Sequence, residues 1–213
     1  MTTPTPITPA FHHLWIPATN PDETRIFVLL HGTGGDENDL VPLARMVAPG
    51  AAVLSPRGKV VQQGMNRWFV RAPDGSYDIP DLIVRAEELS DFMIAAGESY
   101  GFNPRTATAL GYSNGANLAR GILALRPELF GDVILLRTGY PILEDHHPDL
   151  SGKRILMISG KVDPYYTGDV AEERAAHLRG CGADVTLILH PGGHELGERD
   201  VREVHGWLSE GYK

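Results

Sequence analysis

Thr106-Ala107-Thr108-Ala109-Leu110-Gly111-Tyr112-Ser113-Asn114-Gly115-Ala116-Asn117-Leu118-Ala119-Arg120 is the stretch that decides the fold. TATAL reads as a short buried strand, and ANLARGILAL, from Ala116 to Leu125, reads as a helix with apolar residues at three- and four-residue intervals. Only GYSNG lies between them, which leaves room for nothing but a sharp strand-to-helix turn. Such a turn needs small residues two positions either side of Ser113, because side chains there would strike the adjoining backbone, and it pushes the serine hydroxyl out of the sheet. Ser113 is therefore the candidate nucleophile. The helix start behind it adds unpaired N–H groups and a positive dipole end, both useful near a developing oxyanion. The plainer alternative is a glycine turn whose serine only caps a helix.

Working outward, short apolar runs rich in β-formers alternate with longer segments of helical spacing, which places the chain in the α/β class, with a mostly parallel central sheet flanked by crossover helices. Strands are expected at His13 to Ile16, Arg25 to Leu30, Ala52 to Ser55, Thr106 to Leu110, Val133 to Leu136, Arg154 to Ser159 and Val185 to His190. Helices are expected at Leu40 to Val47, Ile79 to Tyr100, Gly115 to Leu125, Thr167 to Arg179 and Val201 to Leu208. Pro56 to Asp78 reads as an irregular loop over the sheet edge and a candidate pocket wall. Residues 1–9 are Pro/Thr-rich and read as a flexible tail, and 10–213 as a single domain with no linker, repeat or charge block.

The 213 residues are 42% hydrophobic and 22% charged, a globular composition. Nineteen basic side chains against 27 acidic ones give a formal charge of -8, the wrong sign for phosphate backbones or anionic lipid, so neither nucleic acid nor a membrane surface is expected as a partner. The longest apolar runs are strand-sized, far short of the roughly 20 residues that span a bilayer. Cys181 is the only cysteine and cannot form an internal disulfide, and MTTPTPITPAFHHLW lacks the basic start and apolar block of a secretory signal. A cytoplasmic protein is the expectation, with a homodimer left open.

A serine hydroxyl needs an imidazole to take its proton and a carboxylate to hold that imidazole in the right tautomer. Behind a turn of this kind the chain order is serine, acid, histidine. His177 lies in the helical run AEERAAHL, His205 in EVHGWL, and His190 ends a strand, whereas His194 in PGGH sits on a loop just after the last strand. That is the sheet edge where catalytic groups gather in open α/β folds, so His194 is the candidate base. Asp163 in ISGKVDP follows the sixth strand at a turn and is the candidate acid, with Asp169 as its rival nearer a helix start.

Behind the strand IFVLL comes His31-Gly32-Thr33-Gly34-Gly35-Asp36. Two fixed backbone N–H donors can stabilise the negative charge that acyl transfer places on a carbonyl oxygen, and those of Thr33 and Asn114 are the candidates. A phosphate loop is the competing reading, but GTGGDE lacks both the GK[ST] ending and the GxGxxG spacing. Trp68 and Phe69 are candidates for an acyl-pocket wall, with core packing as the alternative, and Tyr140 with Pro141 is a candidate substrate contact or turn. The pairs His12-His13 and His146-His147 come without metal-ligand spacing, so no metal is expected.

Together LHGTGGDENDL, GYSNGAN, GKVDP and GGH, with Gly64-Met65-Asn66-Arg67-Trp68-Phe69 before the long helix, resemble the phospholipase/carboxylesterase family of α/β-hydrolases over nearly the whole chain, nearest its bacterial esterase branch. The resemblance implies an α/β-hydrolase fold without a large lid, no cofactor, a Ser113-His194-Asp163 triad with Thr33 and Asn114 as oxyanion donors, and hydrolysis of small-molecule carboxylic esters with small to medium acyl groups. Asn114 stands where many thioesterase and lysophospholipase relatives have glutamine, so thioesters and phospholipids are the alternative substrates. A peptidase with the same triad, or a non-hydrolytic ligand-binding protein of the same fold, are further alternatives. The net charge of -8 favours neutral esters over strongly anionic ones.

Overall fold

In a computed structural model that describes residues 7, 10–20, 22–140 and 142–211, the alternation read from the sequence becomes one seven-stranded sheet with helices on both faces. The expected tail over 1–9 and Pro141 fall mainly or wholly outside the described residues. The strands of the sheet are β1 (His13–Ile16), β2 (Ile26–Leu30), β3 (Ala52–Pro56), β6 (Thr108–Tyr112), β7 (Asp132–Leu136), β8 (Arg154–Gly160) and β9 (Asp184–His190). They lie in the order β1-β3-β2-β6-β7-β8-β9, all parallel except β1, which runs antiparallel to β3 at one edge.

The central strands read as unbroken apolar runs because both of their faces are covered. Alternate residues divide between two cores. Val28, Leu30, Ala109, Val133, Leu135, Ile155 and Met157 pack beneath α2 (Ile79–Tyr100), α3 (Asn114–Leu125) and α4 (Gly168–Gly180). Phe27, Leu29, Leu110, Ile134, Leu136, Leu156 and Ile158 pack beneath α1 (Val41–Val47) and α5 (Glu198–Glu210). Each fully buried large aliphatic or aromatic side chain stabilises the fold by about 1.5–3 kcal/mol relative to exposure. The long helix α2 begins where the Asp78 carboxylate accepts from the Asp81 N–H at 3.0 Å, and it ends at Gly101, whose φ of 75° only glycine adopts cheaply. No helix among the described residues is long and apolar enough to cross a membrane.

One segment departs from the expectation. Within the stretch read as loop, β4 (Val60–Gln62) and β5 (Met65–Arg67) form a hairpin whose turn residues Gln63 and Gly64 have φ of 54° and 74°. Two positive φ values mark a type I′ turn, but Gln is not among the residues that announce one, and three-residue strands show no readable period.

The strand order also explains where the site forms. From β2 the chain goes outward to β3 and then returns to the other side of β2 to enter β6. The loops leaving the C-terminal ends of β2 and β6 therefore diverge, and the crevice between them is the usual binding position in an open α/β sheet.

Candidate active site

Ser113 sits between β6 and α3 with φ 51° and ψ −110°, outside the ordinary allowed regions. The strain is held by close packing around it. A Cβ on Gly111 would lie 2.7 Å from the Ala116 Cα, and one on Gly115 would run into the Leu30 carbonyl oxygen. The Ser113 N–H is tied to the Leu136 carbonyl at 2.8 Å, so the turn is fixed to β7 as well.

His194 and Asp163 arrive from the loops after β9 and β8. His194 Nε2 is 2.9 Å from Ser113 Oγ, and His194 Nδ1 is 2.7 Å from Asp163 Oδ2. With Nδ1–H donating to the carboxylate, Nε2 carries the lone pair that faces the serine hydroxyl. The other carboxylate oxygen of Asp163 accepts from the Tyr165 and Tyr166 N–H groups at 2.8 and 3.2 Å, which fixes the acid in a position only 4% exposed. The Tyr112 hydroxyl donates to the His194 carbonyl at 3.1 Å. Asp169, the rival acid, lies in the first turn of α4, exposed. His177 lies in α4 and His205 in α5, while His190 ends β9, where its Nδ1 accepts from the Gly192 N–H at 3.0 Å.

On the other side of Ser113 the loop after β2 is held by a buried histidine. His31 Nδ1 is 2.7 Å from the Gly32 carbonyl, and its Nε2 accepts from the Gly58 N–H at 2.9 Å. Burial pushes its pKa below the usual value, which keeps the ring neutral and suits one donor and one acceptor. Gly34 N–H donates to the Asn66 carbonyl and the Asn66 side chain to the Gly35 carbonyl, so the hairpin β4–β5 braces the same loop. Among the described residues the backbone N–H groups of Thr33 and Asn114 donate to no protein acceptor. The Asn114 side chain faces the other way and accepts from the Trp68 N–H at 2.8 Å.

A cavity of about 330 Å³ opens over Ser113 and His194, within the range of small-molecule sites. Thr33, Met65, Arg67, Arg71, Tyr112, Tyr165 and Tyr166 complete its lining. The candidates for the wall lie elsewhere. Trp68 and Phe69 are 1% and 0% exposed in the core, with the Trp68 indole N–H on the His31 carbonyl at 2.8 Å. Tyr140 is packed against Tyr77, ring centroids 4.0 Å apart, and accepts from the Tyr77 N–H. Trp68 and Phe69 thus take the core-packing alternative, and the same segment lines the cavity with Met65, Arg67 and Arg71 instead. Arg67 and Arg71 carried a readable signal: residues 40–73 hold five basic side chains and no acidic one.

Among the described residues one group could hold a metal ion, His147, His177 and Cys181, whose ligand atoms lie within 4.8 Å of one another. It shares no residue with the cavity at Ser113.

No protein-family model matches the chain. Over 185 residues, 87% of this chain and 92% of the relative, it is 38% identical to a protein of Bacillus subtilis (strain 168) named "Putative hydrolase MhqD". The fold is similar to the crystal structure of a Bacillus cereus carboxylesterase, with a TM-score of 0.91, 33% identity and 96% of each chain covered. It is also similar to that of a carboxylesterase from Mesorhizobium loti, with a TM-score of 0.81, 36% identity, and 87% of this chain and 88% of that one covered.

Proposed function

From the membership of this chain in the phospholipase/carboxylesterase family of α/β-hydrolases, as an esterase-type hydrolase, we propose that it cleaves small-molecule carboxylic esters of small to medium acyl chain through Ser113, His194 and Asp163. The observation that carries this reading is the continuous hydrogen-bonded row from Asp163 through His194 to Ser113, the last two of which line the cavity.

In the reaction, His194 Nε2 takes the proton of Ser113 as Oγ attacks the ester carbonyl, while Asp163 holds the ring and stabilises the imidazolium. The N–H groups of Thr33 and Asn114 receive the carbonyl oxygen as it becomes an oxyanion. Return of the proton from His194 to the alcohol oxygen breaks the C–O bond, and the alcohol leaves. Water, activated by the same nitrogen, then releases the acid and regenerates Ser113.

The test is Ser113→Ala in purified protein. Its kcat for an activated ester should fall by a factor on the order of 10⁴ or more, and labelling by a serine-directed fluorophosphonate should disappear. Ester hydrolysis retained in that variant would overturn the assignment.

A further inference from the structure

Two guanidinium groups, those of Arg67 and Arg71, stand in the wall of the Ser113 cavity, and no carboxylate among the described residues lines it with them. Arg67 is only 7% exposed and Arg71 is half-buried, and neither forms an ion pair among the described residues. The neighbouring basic side chains of the same stretch are neutralised, Arg57 by Glu37 and Lys59 by Glu88. Arg67 directs Nη1 to the Thr33 hydroxyl at 3.1 Å, and Arg71 lies 5.0 Å from the centroid of the Tyr77 ring. The Nε atoms of both are buried without an acceptor among the described residues. Tyr166, also in the wall, cannot serve as counterion, since burial raises its pKa and keeps the hydroxyl protonated.

A buried cation without a partner is costly, and two side by side cost more. The strain registers in Arg67 itself, whose pKa is lowered by burial and by the nearby Arg71 charge. Both arginines also line an adjoining cleft of about 320 Å³ with Gln62, Gln63 and Gly75, so they stand at the junction of two spaces, one of which leads to Ser113. A guanidinium fork fits planar carboxylate or phosphate oxygens better than any neutral group.

We propose that the ester taken by this cavity carries a second, ionised group, a carboxylate or a phosphate, which Arg67 and Arg71 hold while the ester carbonyl meets Ser113. This rests on the esterase reading of the Ser113 site and names its substrate class. It also reverses the preference for neutral esters drawn from net charge. The formal charge of -8 is a sum over the whole chain, whereas a ligand in a narrow cavity responds to the charges that line it.

The experiment compares matched esters in wild type, Arg67→Met, Arg71→Met and Arg71→Lys. One pair is 4-nitrophenyl butyrate and the 4-nitrophenyl monoester of succinate; the other is ethyl acetate and 2-(phosphonooxy)ethyl acetate. Wild type should favour the charged member of at least one pair by tenfold or more in kcat/KM, and the favoured pair tells carboxylate from phosphate. Each methionine variant should lower that charged-to-neutral ratio at least fivefold, chiefly through KM, and Arg71→Lys should restore part of it. If Arg67 serves only to brace the Thr33 loop, Arg67→Met lowers kcat for both members equally.

Wild type turning over neutral esters with no preference for either charged member, or a ratio unchanged in both methionine variants, would overturn the proposal. If no ester of any kind is hydrolysed, the esterase reading fails separately. Calorimetric binding of succinate and of inorganic phosphate to Ser113→Ala at low salt then decides, with saturable binding of either anion, weakened by Arg71→Met, expected and absence of both contrary.

Discussion

Arg137 grips Asp200 through two hydrogen bonds, Nη1 to Oδ1 at 2.8 Å and Nη2 to Oδ2 at 3.0 Å, with the two side chains 0% and 2% exposed. The same guanidinium donates to the carbonyls of Gly193 at 3.0 Å and Glu195 at 2.7 Å, on either side of His194. The loop that carries the histidine is thus pinned between the end of β7 and the first turn of α5, by a residue that does not itself line the cavity.

Arg137→Met should leave Asp200 a buried charge without its partner and lower stability by about 3–5 kcal/mol. Urea unfolding checks this. The loop freed at Gly193 and Glu195 should also lower kcat in the fraction that remains folded, with little effect on KM. An unchanged kcat would mean that His194 is held without Arg137.

The proposed reaction gives Asp163 one job, its bonds to the Tyr165 and Tyr166 amides give it a second, and two substitutions separate them. Asp163→Asn keeps an oxygen for the Tyr165 and Tyr166 N–H groups but cannot hold the imidazole in the right tautomer, so kcat should fall by about 10⁴ at little cost in Tm. Asp163→Ala should lose the same activity and a further 1–3 kcal/mol or so of stability, because it strands those two amides. Equal melting temperatures for the two variants would contradict the second role.

Gly115→Ala adds one methyl group directly against the Leu30 carbonyl, where the backbone of β2 cannot yield without moving the loop that carries Thr33. A loss on the order of 1–3 kcal/mol is expected, together with a fall in kcat from the displaced Ser113 turn. Gly180→Ala, in α4 with open space around its Cβ position, is the control and should be neutral or mildly stabilising.

Two buried histidines make stability depend on pH. His31 and His190 both have pKa values lowered chiefly by burial, so each is a base more readily protonated in the unfolded chain than in the folded one. Their contribution is complete above the unfolded value of about 6.5 and is lost as pH falls from there toward the lower folded values, at up to about 1.4 kcal/mol per pH unit for each group. Thermal melts between pH 7.5 and 5.5 should show Tm falling, and His190→Gln should flatten the slope. A wild-type Tm constant across that range would refute the reading.

The architecture was legible wherever a few consecutive residues decide the backbone. The strand at Thr108–Tyr112, the helix behind it and the glycines at 111 and 115 follow from apolar spacing and from the clash that any Cβ would make, both interactions within a turn or two of chain. Even so, Gly115 is required by Leu30, 85 positions away in the numbering, and only the adjacency of β2 and β6 shows that. The hairpin at 60–67 was not legible, because its strands are too short for a period and its turn begins on Gln63.

For the candidate site, the sequence determined which loops carry the candidate residues. Chain order and position after a strand pick out Ser113, Asp163 and His194, since each lies where a parallel strand ends. Tertiary structure decided what surrounds them. In an irregular segment no period says which of Arg67, Trp68, Phe69 and Arg71 faces a cavity, and the fold turned the aromatics into the core and the arginines to the wall. It also decided which charges find partners: Arg137 meets Asp200 across 63 residues, while Arg67 and Arg71 meet no carboxylate among the described residues. Local sterics and hydrophobic spacing are written in neighbouring residues, but the field at a site is the sum of charges brought together by distant parts of the chain.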